Sequence, residues 1–103
     1  MSKQRQRGNA LERYIARRLG GRRVEHYGGE DVAHEWLSIE CKERQGIPQW
    51  LTQAVAQALA YAGQGKLAIA VLHELNRSHD EDLVVMRLKD FEEWFNGSPQ
   101  TTE

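Results

Sequence analysis

The chain has 103 residues, with 14 Lys and Arg against 15 Asp and Glu, a single cysteine and a net charge of −1. This length accommodates one domain rather than two. A lone cysteine excludes an internal disulfide and fits a reducing, intracellular setting. No apolar run reaches the ~20 residues of a membrane span, and no apolar segment follows the basic N-terminus as a signal peptide requires. Taken whole, the charge argues against a nucleic-acid partner; its distribution does not. Residues 1–23 carry eight basic residues against Glu12 alone, a local +7, whereas the rest of the chain sets six against fourteen, a local −8. Such a basic end suits a polyanion, and it equally suits a solvated, arginine-rich helix face.

Residues 1–8, with Arg5 and Arg7, are polar without apolar periodicity and read as a basic arm. From Asn9 the pattern turns helical: Leu11, Tyr14, Ile15 and Leu19 recur on one face, and Gly20 with Gly21 supplies the stop. Residues 22–27 read as a short strand and Gly28 with Gly29 as a turn. A hairpin follows over residues 31–44. Its second limb alternates, with Leu37, Ile39 and Cys41 on one face and Trp36, Ser38, Glu40 and Lys42 on the other.

Pro48 opens a second helix. Leu51, Ala54, Val55, Ala58, Leu59 and Ala62 form its apolar stripe, and Gly63 or Gly65 ends it. The apolar run 67–72 reads as a buried central strand, residues 76–82 as a polar loop and residues 83–88 as a last strand. Asp90 and Glu93 resemble a cap pair opening a short helix to Phe95. Residues 96–103 read as a disordered tail, leaving 9–95 as the folded domain. The expected fold class is α/β, a mixed central sheet flanked by helices in the order α-β-β-β-α-β-β-α.

The alternation puts Glu40 and Lys42 on one strand face, about 7 Å apart at their backbones. Strand pairing can bring Asp31 beside Glu40. Two adjacent carboxylates repel unless a cation lies between them, and hard oxygen donors favour Mg²⁺ or Mn²⁺. A neighbouring ammonium can then hold a water nucleophile or offset charge growing on a phosphate. The plain alternative is a hairpin whose polar face is simply solvated. Other constellations are weaker. His26, His34, His73 and His79 with Cys41 give no zinc spacing and read as isolated histidines. Cys41 points away from Glu40 and Lys42, as a core residue does. Trp36, Trp50, Trp94 and Phe95 are a large aromatic load for one small core, and a two-fold subunit interface is one place for them.

Asp31, followed after nine residues by Glu40, Cys41 and Lys42, in this order of elements, resembles the PD-(D/E)xK nuclease superfamily, and most of all the small archaeal and phage Holliday junction resolvases. The first motif is Glu30-Asp31, without the proline. The resemblance covers roughly residues 8–72 and is supported by Asn9, Glu12 and Arg13 in the first helix and by Arg23. It implies a restriction-endonuclease-like core and a Mg²⁺- or Mn²⁺-dependent endonuclease acting on branched DNA as a homodimer in a prokaryotic or phage-infected cytoplasm. It also implies roles: Asp31, Glu40 and the Cys41 carbonyl hold the metal, Lys42 positions the attacking water, and Glu12 adds a ligand. Arg13 and Arg23, with Arg5, Arg7 and Arg17 of the basic end, would meet phosphates. Asn9 and Glu12 also fit a capping box, so helix capping alone can account for Glu12. Gln57 and Tyr61 resemble a Gln-x-x-x-Tyr motif of a related exonuclease-like branch, or form a polar helix flank with Gln53. Flap, nicked or plain duplex DNA, and a non-catalytic DNA-binding module, are the alternative functions.

Overall fold

The basic N-terminus is helical. In the computed structural model, which describes residues 3–24 and 29–96 (backbone alone for 3–7), α1 spans Lys3–Leu19. Lys, Gln and Arg are good helix formers, so nothing in residues 3–7 stops the helix at the expected Asn9. The helix therefore begins six residues earlier, within the stretch expected as an arm. Arg17 and Arg18 occupy its last turn, where positive charge favours the macrodipole. Gly20 then takes the left-handed conformation (φ 78°) and the Gly21 N–H returns to the Ala16 carbonyl at 2.8 Å, the pairing of a Schellman stop.

The chain divides into two compact units, Met1–Gln45 and Gly46–Glu103. In the first, β1 (Arg22–Arg23), β2 (Val32–Ala33) and β3 (Ser38–Ile39) form an antiparallel sheet in that order. The register pairs Arg23 with Val32 and Val32 with Ile39. The Val24 N–H extends the first ladder to the Asp31 carbonyl at 2.9 Å; the rest of the expected strand, residues 25–27, and Gly28 of the expected turn lie outside the described residues. Helix α1 packs on β1 and β2, and Val32 is fully buried there with Ala16 close to it in burial. His34 adds a polar clasp: Nε2 lies 2.9 Å from the Leu19 carbonyl, while Nδ1 accepts the N–H groups of Trp36 and Leu37. These three bonds require the tautomer protonated at Nε2.

In the second unit, α2 (Gln49–Ala62) starts at Pro48 and stops at Gly63, whose φ is 59°. The expected apolar stripe is half-buried at each of its six positions, with the other helix residues exposed. Strands β4 (Ala70–Leu72) and β5 (Leu83–Val85) pair antiparallel, Leu72 opposite Leu83, and α2 packs on β4. A 3₁₀ turn, His79–Glu81, lies between them, capped by Ser78 Oγ. Helix α3 (Leu88–Asn96) begins before Asp90. Asp90 is thus a first-turn residue rather than the cap, and Arg87 grips both its oxygens at 2.8 and 3.1 Å. That guanidinium holds the Asp90 carboxyl below its ordinary value.

The order of helices and strands is the expected one, and the class is mixed α/β. The expected mixed central sheet is instead, among the described strands, two small antiparallel sheets. The run 67–72 accordingly buries one face, Ala68 and Ala70, while Ile69 and Val71 stay exposed. A strand in a two-stranded ribbon has only one covered face, unlike the centre of a sheet sandwiched by helices. Trp36, Trp50 and Trp94 are also exposed. Among the described residues, no helix is long and apolar enough to cross a membrane. The expected tail, apart from Asn96 in α3, lies outside the described residues.

Candidate active site

Asp31 enters β2 half-buried and makes two bonds that end the hairpin ladder. Its N–H donates to the Ile39 carbonyl at 2.8 Å, and its Oδ2 accepts the Cys41 N–H at 2.6 Å. Continuing the register of Val32 with Ile39 would set Asp31 against Glu40. Here the carboxylate captures the backbone of the following residue instead, and regular pairing ends at Ile39 rather than running to Lys42. Glu40 turns to Lys42, its carboxylate 3.2 Å from Nζ, and both side chains are more than half exposed.

A cleft of about 1080 Å³ opens in the first unit, lined by Gly8 and Glu12 of α1, Asp31 and residues 41–45. It brings together Glu12, Asp31, Cys41 and Lys42. Glu40 is not among its walls. Cys41, expected in the core, is half-buried and faces this cleft. Its thiol is pushed above its ordinary value, first by burial and then by the negative charges of Asp31, Glu12 and Glu40. The thiol therefore stays neutral and is a poor nucleophile. Three carboxylates thus lie close enough to the thiol to act on it, two of them already paired with Arg23 and Lys42.

Glu12 is not a helix cap, because α1 begins well before Asn9. Arg23 Nε donates to Glu12 Oε1 at 2.9 Å and Arg23 Nη2 to Asn9 Oδ1 at 2.8 Å, all part-buried. Arg23, expected on phosphate, thus ties β1 to two successive turns of α1 and fixes Glu12 at the cleft wall. Replacing Arg23 with Met should lower stability by about 2 kcal/mol, since charge-assisted bonds contribute roughly 1.5–3 kcal/mol and two acceptors lose their donor. Urea unfolding checks this, and a midpoint within error of the wild type would contradict the bracing role.

Arg13 and Arg17 are exposed on α1, one turn apart. Arg5 and Arg7 lie on the same helix, and their side chains fall outside the described residues. Gln57 is exposed on α2 in the second unit, on a flank with Gln53 and the 87 % exposed Tyr61.

The histidines divide. His26 lies outside the described residues and His34 is the structural clasp above. His73 and His79, expected to be isolated, are not: their Nδ1 atoms lie 2.6 and 3.0 Å from the two oxygens of Asp82. Among the described residues, this is the one trio of His, Cys, Asp or Glu with potential ligand atoms all within 4.8 Å. Glu12, Asp31 and Glu40 do not form such a trio. A search for Cys-x-x-Cys or His-x₃-His passes over the group because one ligand arrives across a hairpin. The register of β4 with β5 was the available signal, since it sets His73 opposite Asp82. No protein-family model, no curated protein and no solved structure matches the chain.

Proposed function

We propose that the chain is a Mg²⁺- or Mn²⁺-dependent endonuclease that cuts phosphodiester bonds in branched DNA, on a restriction-endonuclease-like core of the PD-(D/E)xK type. The observation that carries this reading is the cleft itself, where Glu12 and Asp31 stand with Cys41 and Lys42. The donors are hard oxygens, which fit Mg²⁺ or Mn²⁺ and not a soft metal. Asp31 and Glu12, which line the cleft, would hold the ion with the Cys41 carbonyl as a backbone donor, and Glu40 would join them by turning from Lys42. When bound, it supplies a Lewis acid for the phosphate and lowers the pKa of a bound water.

The chain's own groups do the rest. The Cys41 N–H fixes Asp31 in one orientation, so its carboxylate needs no reorganisation on binding. Lys42 is the counter-charge of Glu40 at 3.2 Å. Once a cation takes that role, the ammonium is available to hold the attacking water or to offset charge on the scissile phosphate. Arg13 and Arg17 present guanidinium forks to the backbone, and phosphate oxygens accept them in pairs. A homodimer would set two such clefts about a two-fold axis, matching the symmetry of a four-way junction.

The test is a cleavage panel of four-way, flap and linear DNA with Mg²⁺, Mn²⁺ or EDTA. Paired nicks confined to the four-way junction, and absent with EDTA, are expected. Cutting of flap or linear DNA alone would keep the nuclease and replace the substrate. Salt-sensitive binding without cutting in either metal would replace the enzyme with a DNA-binding module.

A further inference from the structure

The group formed by His73, His79 and Asp82 is built by the backbone and not by chance proximity. Leu72 and Leu83 are the last ladder pair of β4 and β5, so His73 and Asp82 are the next residues in register. Their side chains meet at 2.6 Å, His73 Nδ1 to Asp82 Oδ1. His79 opens the 3₁₀ turn that ends at Asp82, and residues three apart in a 3₁₀ turn eclipse one another. That places His79 Nδ1 3.0 Å from the other oxygen, Oδ2. The two imidazoles stack, with centroids 4.2 Å apart and planes 28° from parallel. Three potential ligand atoms from both arms of the hairpin thus lie within 4.8 Å of one another.

We propose that His73, His79 and Asp82 form a binding site for a divalent transition metal ion of the Zn²⁺ class. Two imidazole nitrogens and one carboxylate suit Zn²⁺, Ni²⁺, Co²⁺ or Cu²⁺, and they suit Mg²⁺ poorly. Zinc bonds of 2.0–2.2 Å in a tetrahedron separate ligand atoms by about 3.3 Å. To admit the ion, the present 2.6 and 3.0 Å would each open by less than about 1 Å, and the two stacked rings would turn so that both Nδ1 lone pairs meet it. Three protein ligands leave one position to water, and the site is reachable from solvent: His79 is 81 % exposed, against 33 % for His73 and 16 % for Asp82. The ion would join the two ends of the loop between β4 and β5, clamping a ribbon of three residue pairs. This site shares no residue with the proposed nuclease cleft and does not depend on that reading.

The test is calorimetric titration of the full chain with ZnCl₂, beside NMR of the imidazole resonances. Wild type and Asp31→Asn should both bind Zn²⁺ at this site, with the His73 and His79 resonances shifting and His34 unmoved. His79→Gln and Asp82→Asn should each weaken that binding at least tenfold, as loss of a ligand does. His79 is too exposed for its substitution to disturb folding, and far-UV circular dichroism checks that. A tenfold excess of Mg²⁺ should not displace the ion. Unchanged Zn²⁺ affinity in both variants would overturn the proposal. So would the absence of Zn²⁺ binding to the wild type, which would leave the trio as a hydrogen-bonded clasp.

Discussion

Asp31→Asn should abolish Mg²⁺-dependent cutting of a four-way junction while leaving DNA affinity within a few-fold of the wild type. The substitution changes one thing. The amide oxygen can still accept the Cys41 N–H that now reaches Asp31 Oδ2 at 2.6 Å, so the backbone after β3 keeps its anchor. A neutral acceptor weakens that bond by about half, a stability cost of roughly 1 kcal/mol or less. What disappears is the negative charge that would hold the cation. Metal assistance contributes several kcal/mol to the transition state, and at 1.36 kcal/mol per tenfold the loss is about a thousandfold in rate. Lys42→Met should lower cleavage by about 10²–10⁴-fold, the range for one positioned proton-transfer or charge-stabilising group. The phosphate contacts proposed for α1 are untouched in both variants, so affinity and its salt dependence should persist. Single-turnover rates beside filter binding separate the two quantities. Wild-type cleavage by Asp31→Asn would sink the metal assignment, whereas lost cleavage with lost melting temperature would point to a folding defect instead.

The sequence was most informative where structure is local. The α2 stripe follows from a period of 3.6 and nothing else, and each of its six positions is half-buried as expected. The Gly20 stop needs only a residue that tolerates positive φ. Periodicity failed where a side chain competes with the backbone. Alternation carried the second hairpin limb to Lys42, but Asp31 takes the Cys41 N–H, so Glu40 and Cys41 leave the ladder and Cys41 reaches the cleft. Such a capture depends on where Asp31 arrives in space, which spacing alone does not encode. The Arg23 brace to Glu12 and Asn9 likewise spans 11 and 14 residues. A capping box was the local reading of the same two residues, and the longer helix displaced it.

Charge shows the same division. The uneven distribution was plain from composition, but not what the acidic side chains of the second unit do. Glu74 and Glu81 pair with Arg77, Asp90 with Arg87, and Asp82 with two histidines. Much of that acid is therefore internally matched within a turn or across a hairpin. The acid of the first unit is matched too, Glu12 with Arg23 and Glu40 with Lys42, while Asp31 accepts the Cys41 N–H. A net charge of −1 thus averages two locally matched sets, and Asp31 at the cleft is held by a backbone N–H rather than by a basic side chain.

Gly21→Ala should destabilise the first unit by about 3 kcal/mol, the upper part of the usual range for overpacking. Gly21 has no left-handed backbone to explain it; space does. A β-carbon there would lie 2.5 Å from the Ala33 carbonyl oxygen and 2.8 Å from Val32 Cγ1. Neither neighbour can give easily. The Ala33 carbonyl belongs to β2, which pairs on both edges, and Val32 is fully buried. Relief therefore requires moving α1 off the sheet, which also strains the Gly21 N–H to Ala16 bond that ends the helix. Against a total stability of roughly 5–15 kcal/mol for a domain, that loss is large. Two other glycines separate space from conformation. Gly8 lies inside α1 and a β-carbon there would meet nothing within 4 Å, so Gly8→Ala should stabilise by about 0.5–1 kcal/mol. Gly20→Ala meets no atoms but carries φ 78°, and should cost about 1 kcal/mol through strain alone. Hydrogen exchange of the Val24 and Asp31 amides, both bonded within the hairpin, reports the first unit directly. Exchange in Gly21→Ala as slow as in the wild type would mean that α1 does not press on β2 here, and the wall that α1 gives the cleft would lose its support.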